Sequence, residues 1–246
     1  MDNRCIVVTG ASRGIGAAIA AALAGAGYTV GCLSRTGTLP QAGMDAAALA
    51  RCIGIACDVT DPSALPDAYA LLSAQGLTLA GAVNNAGIHL EGRSADLALA
   101  DWNRVMEMNS TSVFLGCQAA YPHLRAAGGG LIVNIGSFFD KLGVKHNTAY
   151  CASKAAVGAI TRCLAVEWAA KGISVVDVAP GYIATDLNRE ALTQGPLAAY
   201  LQKRIPRGTP GTAGDVARLV GALFTLGCGF MTGDTLYLDG AQGIAH

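Results

Sequence analysis

Seven short runs of apolar, largely β-branched residues punctuate the chain, at Cys5–Thr9, Thr29–Leu33, Ile53–Cys57, Ala82–Asn84, Leu131–Ile135, Ser174–Ala179 and Thr235–Leu238. They are continuous rather than alternating, so each predicts a strand buried on both faces. Between them lie Ala- and Leu-rich stretches that suit helices: Gly16–Ala26, Pro62–Gln75, Ala100–Arg125, Tyr150–Lys171 and Ala213–Leu226. The link between the second and third runs offers only Asp45–Arg51. Strand–helix alternation predicts a parallel sheet wrapped by right-handed crossovers. The expectation is a doubly wound α/β fold, seven strands with helices on both faces. No linker or internal repeat divides residues 1–246, which predicts a single domain. Ligands of such a sheet sit beyond the C-terminal ends of its strands.

Composition excludes several other classes. Of 246 residues, 52% are apolar and 14% charged, against about 25% charged in an average soluble domain. Lys plus Arg and Asp plus Glu each number 17, so no basic footprint for nucleic acid exists. Disorder would need low hydrophobicity and high net charge. The mean hydropathy of +0.41 would suit a membrane protein, and the uncharged stretch Gly14–Ser34 is long enough to span one. That stretch carries Gly14, Gly16, Gly25, Gly27 and Gly31, and its periodicity changes near Gly27. Helix, turn and strand describe it better than a bilayer span of about 20 residues. Asp2 and Arg4 lead directly into a strand pattern, unlike a signal peptide. Cysteines at 5, 32, 52, 57, 117, 151, 163 and 228 form no CxxC pair. They read as reduced thiols of a cytoplasmic protein, with no metal site.

The most informative turn is Thr9-Gly10-Ala11-Ser12-Arg13-Gly14-Ile15-Gly16, between the first strand and the first helix. A helix N-terminus offers unpaired N–H groups and partial positive charge, and glycines admit a pyrophosphate close to the backbone. The spacing G-x-x-x-G-x-G differs from the common G-x-G-x-x-G dinucleotide pattern. After the second strand, where an acid would bind a ribose 2′-hydroxyl, stand Ser34 and Arg35. Arg35 and Arg13 suit a 2′-phosphate. The expected cofactor is therefore NADP(H), with NAD(H) as the less favoured form. Asp58-Val59, after the third strand, is expected at the adenine edge.

Further motifs complete a pattern: Asn84-Asn85-Ala86-Gly87 after the fourth strand, Asn109 in the next helix, Gly136-Ser137 after the fifth strand, Tyr150-Cys151-Ala152-Ser153-Lys154, and Pro180-Gly181 with Thr185. With the glycine turn, and in this order, they make the chain resemble the short-chain dehydrogenase/reductase family over essentially its whole length. It is similar to 3-oxoacyl-carrier-protein reductase-like and gluconate 5-dehydrogenase-like members. The resemblance implies a Rossmann-type domain and a catalytic group of Asn109, Ser137, Tyr150 and Lys154. It also implies that Asn84, Asn85, Ala86, Gly87, Pro180 and Gly181 border the cofactor cleft, and that Ile183 and Thr185 contact the nicotinamide amide and phosphates.

The chemistry can also be argued from the residues. Tyr150 and Lys154 are four apart and share a helical face. A phenol near pKa 10 is a poor acid at neutral pH. A neighbouring ammonium and an oxidised nicotinamide are expected to lower it by about 1–3 units. Tyr150 would protonate the carbonyl oxygen as hydride reaches the carbon, and the reverse in oxidation. Ser137 would orient the carbonyl, and Lys154 would hold the nicotinamide ribose. The resemblance adds Asn109 as anchor of a water linking Lys154 to solvent.

The substrate is expected between His89–Arg93, Phe138–Asn147 and a lid over 182–207. Phe138, Phe139 and Tyr182 suit a small, partly apolar ketone or secondary alcohol, and His89 or His146 would meet a polar group. An alternative is 3-oxoacyl-carrier-protein reduction, which calls for basic docking residues. The stretch Ala126-Ala127-Gly128-Gly129-Gly130 before the fifth strand has none, though Lys171 remains a possible contact. A non-catalytic nucleotide sensor is a third reading, disfavoured by the intact Ser-Tyr-Lys-Asn set. The resemblance implies a homotetramer through helices after the fourth and fifth strands and the final strand with its preceding helix, and the apolar segments 113–117 and 155–160 agree. The chain departs from many relatives at Ala80, where an Asp is common, and at Ser174 and Val176, where a basic residue and an Asn are common. Ser112 and Ala241 stand where Gly is common.

Overall fold

The structure, a computed structural model, describes residues 3–40, 43–185, 188, 190, 192, 194–227 and 229–245. Its main strands are β1 (Arg4–Thr9), β2 (Thr29–Ser34), β3 (Cys52–Ala56), β4 (Thr78–Asn84), β5 (Gly130–Ile135) and β6 (Ile173–Pro180). Two short strands, β7 (Ile183–Ala184) and β8 (Gly211–Thr212), pair separately, and β9 (Thr235–Leu238) completes the main sheet. That sheet has seven strands in the order β3-β2-β1-β4-β5-β6-β9, and every pair is parallel.

The continuous apolar runs feed two cores. Cys5 and Val7 of β1 enter one, Ile6 and Val8 the other. The first core is covered by α3 (Ala64–Ala74), α5 (Ser112–Ala126) and α6 (Thr148–Trp168). The second is covered by α1 (Gly14–Gly25) and α8 (Ala213–Thr225), with α2 (Ala46–Leu49) at its edge. Asp45 caps α2 by accepting from Ala48 N at 2.7 Å. Thr212 and Asp215 form a reciprocal capping box on α8.

Strand order reverses between β1 and β4, which opens a crevice past their C-terminal ends. The glycine turn after β1 and the Asn85–Gly87 loop after β4 face each other there.

The long helix expected over Ala100–Arg125 is divided. It runs as α4 (Leu99–Met106), a π-helical turn over Glu107–Thr111, then α5. A π turn leaves carbonyls without their usual i+4 partners, and the Ser112 hydroxyl donates to Met108 O at 2.6 Å. The serine that replaces a common glycine thus binds a carbonyl beside this turn. β4 also begins earlier than expected, at Thr78, because β1 pairs with it from Arg4↔Thr78 onward.

Within the expected lid, α7 (Gly195–Arg204) packs Leu201 with Ile205, Leu192 and Ala184 in a small satellite core. Positions 186, 187, 189, 191 and 193 of that segment, and Cys228, lie outside the described residues. The described cysteines are all free. Among the described residues, no helix is long and apolar enough to cross a membrane.

Candidate active site

A cleft of about 400 Å³ lies beyond the C-terminal ends of β4, β5 and β6. Ile15, Asn85, Gly87, His89, Ser137, Phe138, Phe139, Tyr150, Lys154, Pro180, Gly181, Tyr182, Ile183 and Thr185 line it. Residues from five separate sequence motifs therefore converge on one space.

The phosphate turn is held open by backbone geometry. Gly10 has φ +64°, and a Cβ on Gly16 would lie 2.2 Å from Gly10 O. No side chain fits at Gly16 while the turn keeps this shape. Thr9 fastens the turn to the next motif: its hydroxyl accepts from Asn85 N at 2.9 Å and Ala86 N at 3.0 Å. Asn85 Nδ2 donates back to Thr9 O at 2.9 Å. Thr185 closes over Gly14, its Cγ2 3.7 Å from where a Cβ would stand. Asn188 folds this segment by accepting from Thr185 N at 2.7 Å.

At the far end of the crevice the Ser34 hydroxyl is buried and has no protein partner. Arg35 beside it is exposed, and hydrogen bonds from Thr60, with a smaller pull from Arg35, lower the pKa of Asp58. Arg13, the residue preceding α1, is exposed too. A helix N-terminus cleared of side chains, an unpartnered hydroxyl and two exposed guanidiniums fit a dinucleotide cofactor. Val59 turns its side chain into the first core, and Asp58 Oδ1 accepts from Thr60 at 2.8 Å.

The catalytic residues come from β5, α6 and the π turn. Ser137 caps the 3₁₀ turn Phe138–Lys141, accepting from Phe139 N at 3.3 Å, and its hydroxyl pulls the Tyr150 pKa down. Lys154 is buried and donates to Ile135 O at 2.8 Å. Burial pushes its ammonium down to about 8, opposed by Asp177. Among the protein's own groups, burial of the phenol outweighs the pull of Ser137 and raises the Tyr150 pKa; the expected lowering counts on the oxidised nicotinamide as well. The Lys154 Nζ sits 5.8 Å from the Tyr150 ring centroid and is committed to a carbonyl. Desolvation therefore decides the direction in this geometry.

Asn109 is fully buried. Its amide clasps Ile88 from both sides, Nδ2 donating to O at 2.8 Å and Oδ1 accepting from N at 2.8 Å. A third bond runs to Ser153 Oγ at 3.1 Å. The side chain holds the loop that carries Gly87 against α6.

Some expected residues stand elsewhere. Asn84 is buried inside the sheet, where it donates to Asn134 Oδ1 at 2.9 Å, and Asn134 donates to Thr161 at 2.9 Å. It ties β4 to β5 and α6 rather than bordering the cleft. His146 is exposed with φ +67° and is not among the residues that line the cleft. His89 does reach it, edge-on to Tyr150 at 4.6 Å between centroids, and bonds Asn147 Oδ1. Ala80, Ser174 and Val176, three of the departures from relatives, together line a second cavity of about 440 Å³ at the N-terminal ends of β5 and β6. Sequence reasoning missed Thr9, Asn188 and Asp177. For Asp177 a signal existed: a lone carboxylate inside an apolar strand. Among the described residues, no cluster of metal-ligating side chains is present.

Comparison with known proteins agrees with this geometry. A family model described as enoyl-(acyl carrier protein) reductase matches residues 10–241. The chain is 33% identical to D-threitol dehydrogenase of Mycolicibacterium smegmatis, covering 99% of this chain and 94% of that protein. It is 34% identical to a 3-oxoacyl-[acyl-carrier-protein] reductase of Escherichia coli, covering 98% of both. A solved Agrobacterium tumefaciens protein, assigned as a 2-deoxy-D-gluconate 3-dehydrogenase and holding NADP, superposes with a TM-score of 0.84 at 33% identity, covering 98% and 97%. The chain belongs to the short-chain dehydrogenase/reductase family. It is an oxidoreductase acting between alcohol and carbonyl groups with a nicotinamide cofactor.

Proposed function

We propose that this enzyme transfers hydride between NADP(H) and a small, partly apolar ketone or secondary alcohol, with Tyr150 as the proton donor and acceptor. The observation that carries the reading is the convergence of Ser137, Tyr150 and Lys154 beside the glycine turn in one cleft. Bound NADP(H) would supply or accept the hydride. The backbone from Gly10 through Ser12 to Gly16 receives the pyrophosphate, while Ser34, Arg13 and Arg35 receive the phosphorylated ribose. Ile183 and Thr185 hold the nicotinamide end. Ser137 orients the carbonyl oxygen, and the Tyr150 phenol gives it a proton. Lys154 binds the nicotinamide ribose and places positive charge beneath Tyr150. Asn109 keeps the 87–88 loop in place and anchors the proton path from Lys154.

Phe138, Phe139 and Tyr182 pack edge to face, and Phe139 also meets the Tyr150 ring at 5.9 Å. These rings support an apolar substrate flank, and His89 supports one polar contact. The uncharged 126–130 segment argues against an acidic carrier protein as the main client. Phe114 on α5 and Val166 on α6 are 42% and 84% exposed, which supports burial of these helix faces in a homotetramer, and the free cysteines support a cytoplasmic location. Light scattering that returns a monomer contradicts the tetramer. A panel of ketones and secondary alcohols, read by absorbance with NADPH, NADH and their oxidised forms, tests the rest. Higher kcat/KM with NADH sinks the cofactor assignment. Absence of turnover across the panel, with NADPH still bound, revives the sensor reading.

A further inference from the structure

Strand β6 is buried along its whole length. Ile173 and Val175 enter the core beneath α6, and the next residue on that face is Asp177, 0% exposed. The register sets it between Asn134 of β5 and Thr235 of β9. Its Oδ2 accepts one long bond, from Thr235 Oγ1 at 3.3 Å, while Oδ1 has no hydrogen-bond partner. An ionised carboxylate with so few bonds persists in an interior only near opposite charge.

The carboxylate occupies the space of a missing side chain. A Cβ on Gly136 would lie 2.5 Å from Oδ1 and 2.7 Å from Oδ2. Lys154 donates to Ile135 O, the other half of the Ile135–Gly136 peptide. A buried ammonium and a buried carboxylate thus flank one peptide unit, directly before Ser137. Other polar and charged groups border this region: Tyr150, Cys151 and Arg162 on α6, Asp140 and Lys141 on the 3₁₀ turn, and Thr235 and Tyr237 on β9. Asp140 is engaged by the Tyr237 hydroxyl at 2.7 Å. Of the cations, Lys154 is the one whose charge acts on Asp177.

We propose that Asp177 is a positioning residue for hydride transfer, the fixed counter-charge that keeps Lys154 protonated and that seats the Ile135–Ser137 backbone against β6. This rests on the role given to Lys154 above. The electrostatics agree with the geometry. Burial pushes Asp177 up to about 6, with Lys154 pulling it down and Asp140 pushing it up. Lys154 stands at about 8, with Asp177 pulling it up. Between those values both groups are charged. Without the carboxylate, the ammonium loses its proton at lower pH.

The test is the pH profile of kcat/KM for ketone reduction with NADPH, in wild type and Asp177→Asn, with folding and NADPH affinity checked at pH 7. The expected result is a folded variant that binds NADPH. Its alkaline limb should lie about one unit lower, and its acid limb near pH 6 should be gone. Unchanged limbs in a folded, active variant overturn the proposal. A second measurement needs neither turnover nor that variant. Infrared titration of the buried carboxylic C=O band should show a group titrating near pH 6 in wild type, moving upward in Lys154→Met. No such band, or a band that Lys154→Met leaves in place, overturns the proposal. If wild type reduces no ketone, the catalytic reading fails, and the infrared result still decides whether the two charges are coupled.

Discussion

Replacing Asn109 by Ala removes a clamp whose strength can be worked from its bonds. Three are lost: two to Ile88, each 2.8 Å, and one to Ser153 at 3.1 Å. A buried neutral hydrogen bond contributes about 1 kcal/mol net, and a group left unsatisfied costs about 1–3 kcal/mol. Ser153 keeps its bond to Tyr150 O at 2.7 Å, so its share of the loss is small. Ile88 is half-buried, and water can reach part of its backbone. The expected destabilisation is therefore about 2–4 kcal/mol. Urea denaturation at fixed protein concentration measures it as a lower midpoint with unchanged slope. Catalysis should suffer as well. Asn109 Oδ1 and Lys154 Nζ lie 3.1 Å and 3.8 Å from where a Cβ on Gly87 would stand, so a loosened loop shifts groups on both sides of the cleft. A displacement near 1 Å costs about 100-fold in rate. Asn109→Asp discriminates further: it keeps an acceptor for Ile88 N but sets a carboxylate against Ile88 O, and should be no more stable than Asn109→Ala. A midpoint within about 0.5 kcal/mol of wild type, with unaltered kinetics, would refute the clamp.

Further outcomes follow from the same geometry. Tyr150→Phe should abolish turnover while NADPH still quenches protein fluorescence; substantial residual activity removes Tyr150 as the acid. Arg13→Ala or Arg35→Ala should raise the KM for NADPH about tenfold or more and leave NADH nearly unaffected; equal effects on both cofactors refute a 2′-phosphate contact. Ala241 stands at φ +69°, a left-handed backbone that costs an L side chain, so Ala241→Gly should stabilise by about 1 kcal/mol, read as a higher urea midpoint. Reductive kcat/KM should fall as pH rises through about 8, where Lys154 gives up its proton; a flat profile to pH 10 contradicts that role.

Much of the fold was legible because continuous apolar runs require cover on both faces, and the structure fills two cores from alternate residues of the same strands. The long helix was read as unbroken because the π turn over Glu107–Thr111 keeps the chain helical and carries no glycine or proline to mark it, although it shifts the faces of the residues on either side. The same turn presents Asn109, so its partners could not be read from spacing. Asn84 looked like a cleft residue because it adjoins Asn85 in sequence. Successive strand residues point to opposite faces, and its face is the one covered by α5 and α6.

Sequence alone determined the strand–helix alternation, the bare phosphate turn and the shared helical face of Tyr150 and Lys154. All three are short-range properties, set by periodicity, by glycine and by the pitch of a helix. Only the tertiary structure decided what surrounds the reactive groups. Burial by distant segments raises Tyr150, and the packing of β6 sets Asp177 against the peptide that Lys154 holds. Desolvation and charge act across space, between residues that the chain keeps far apart.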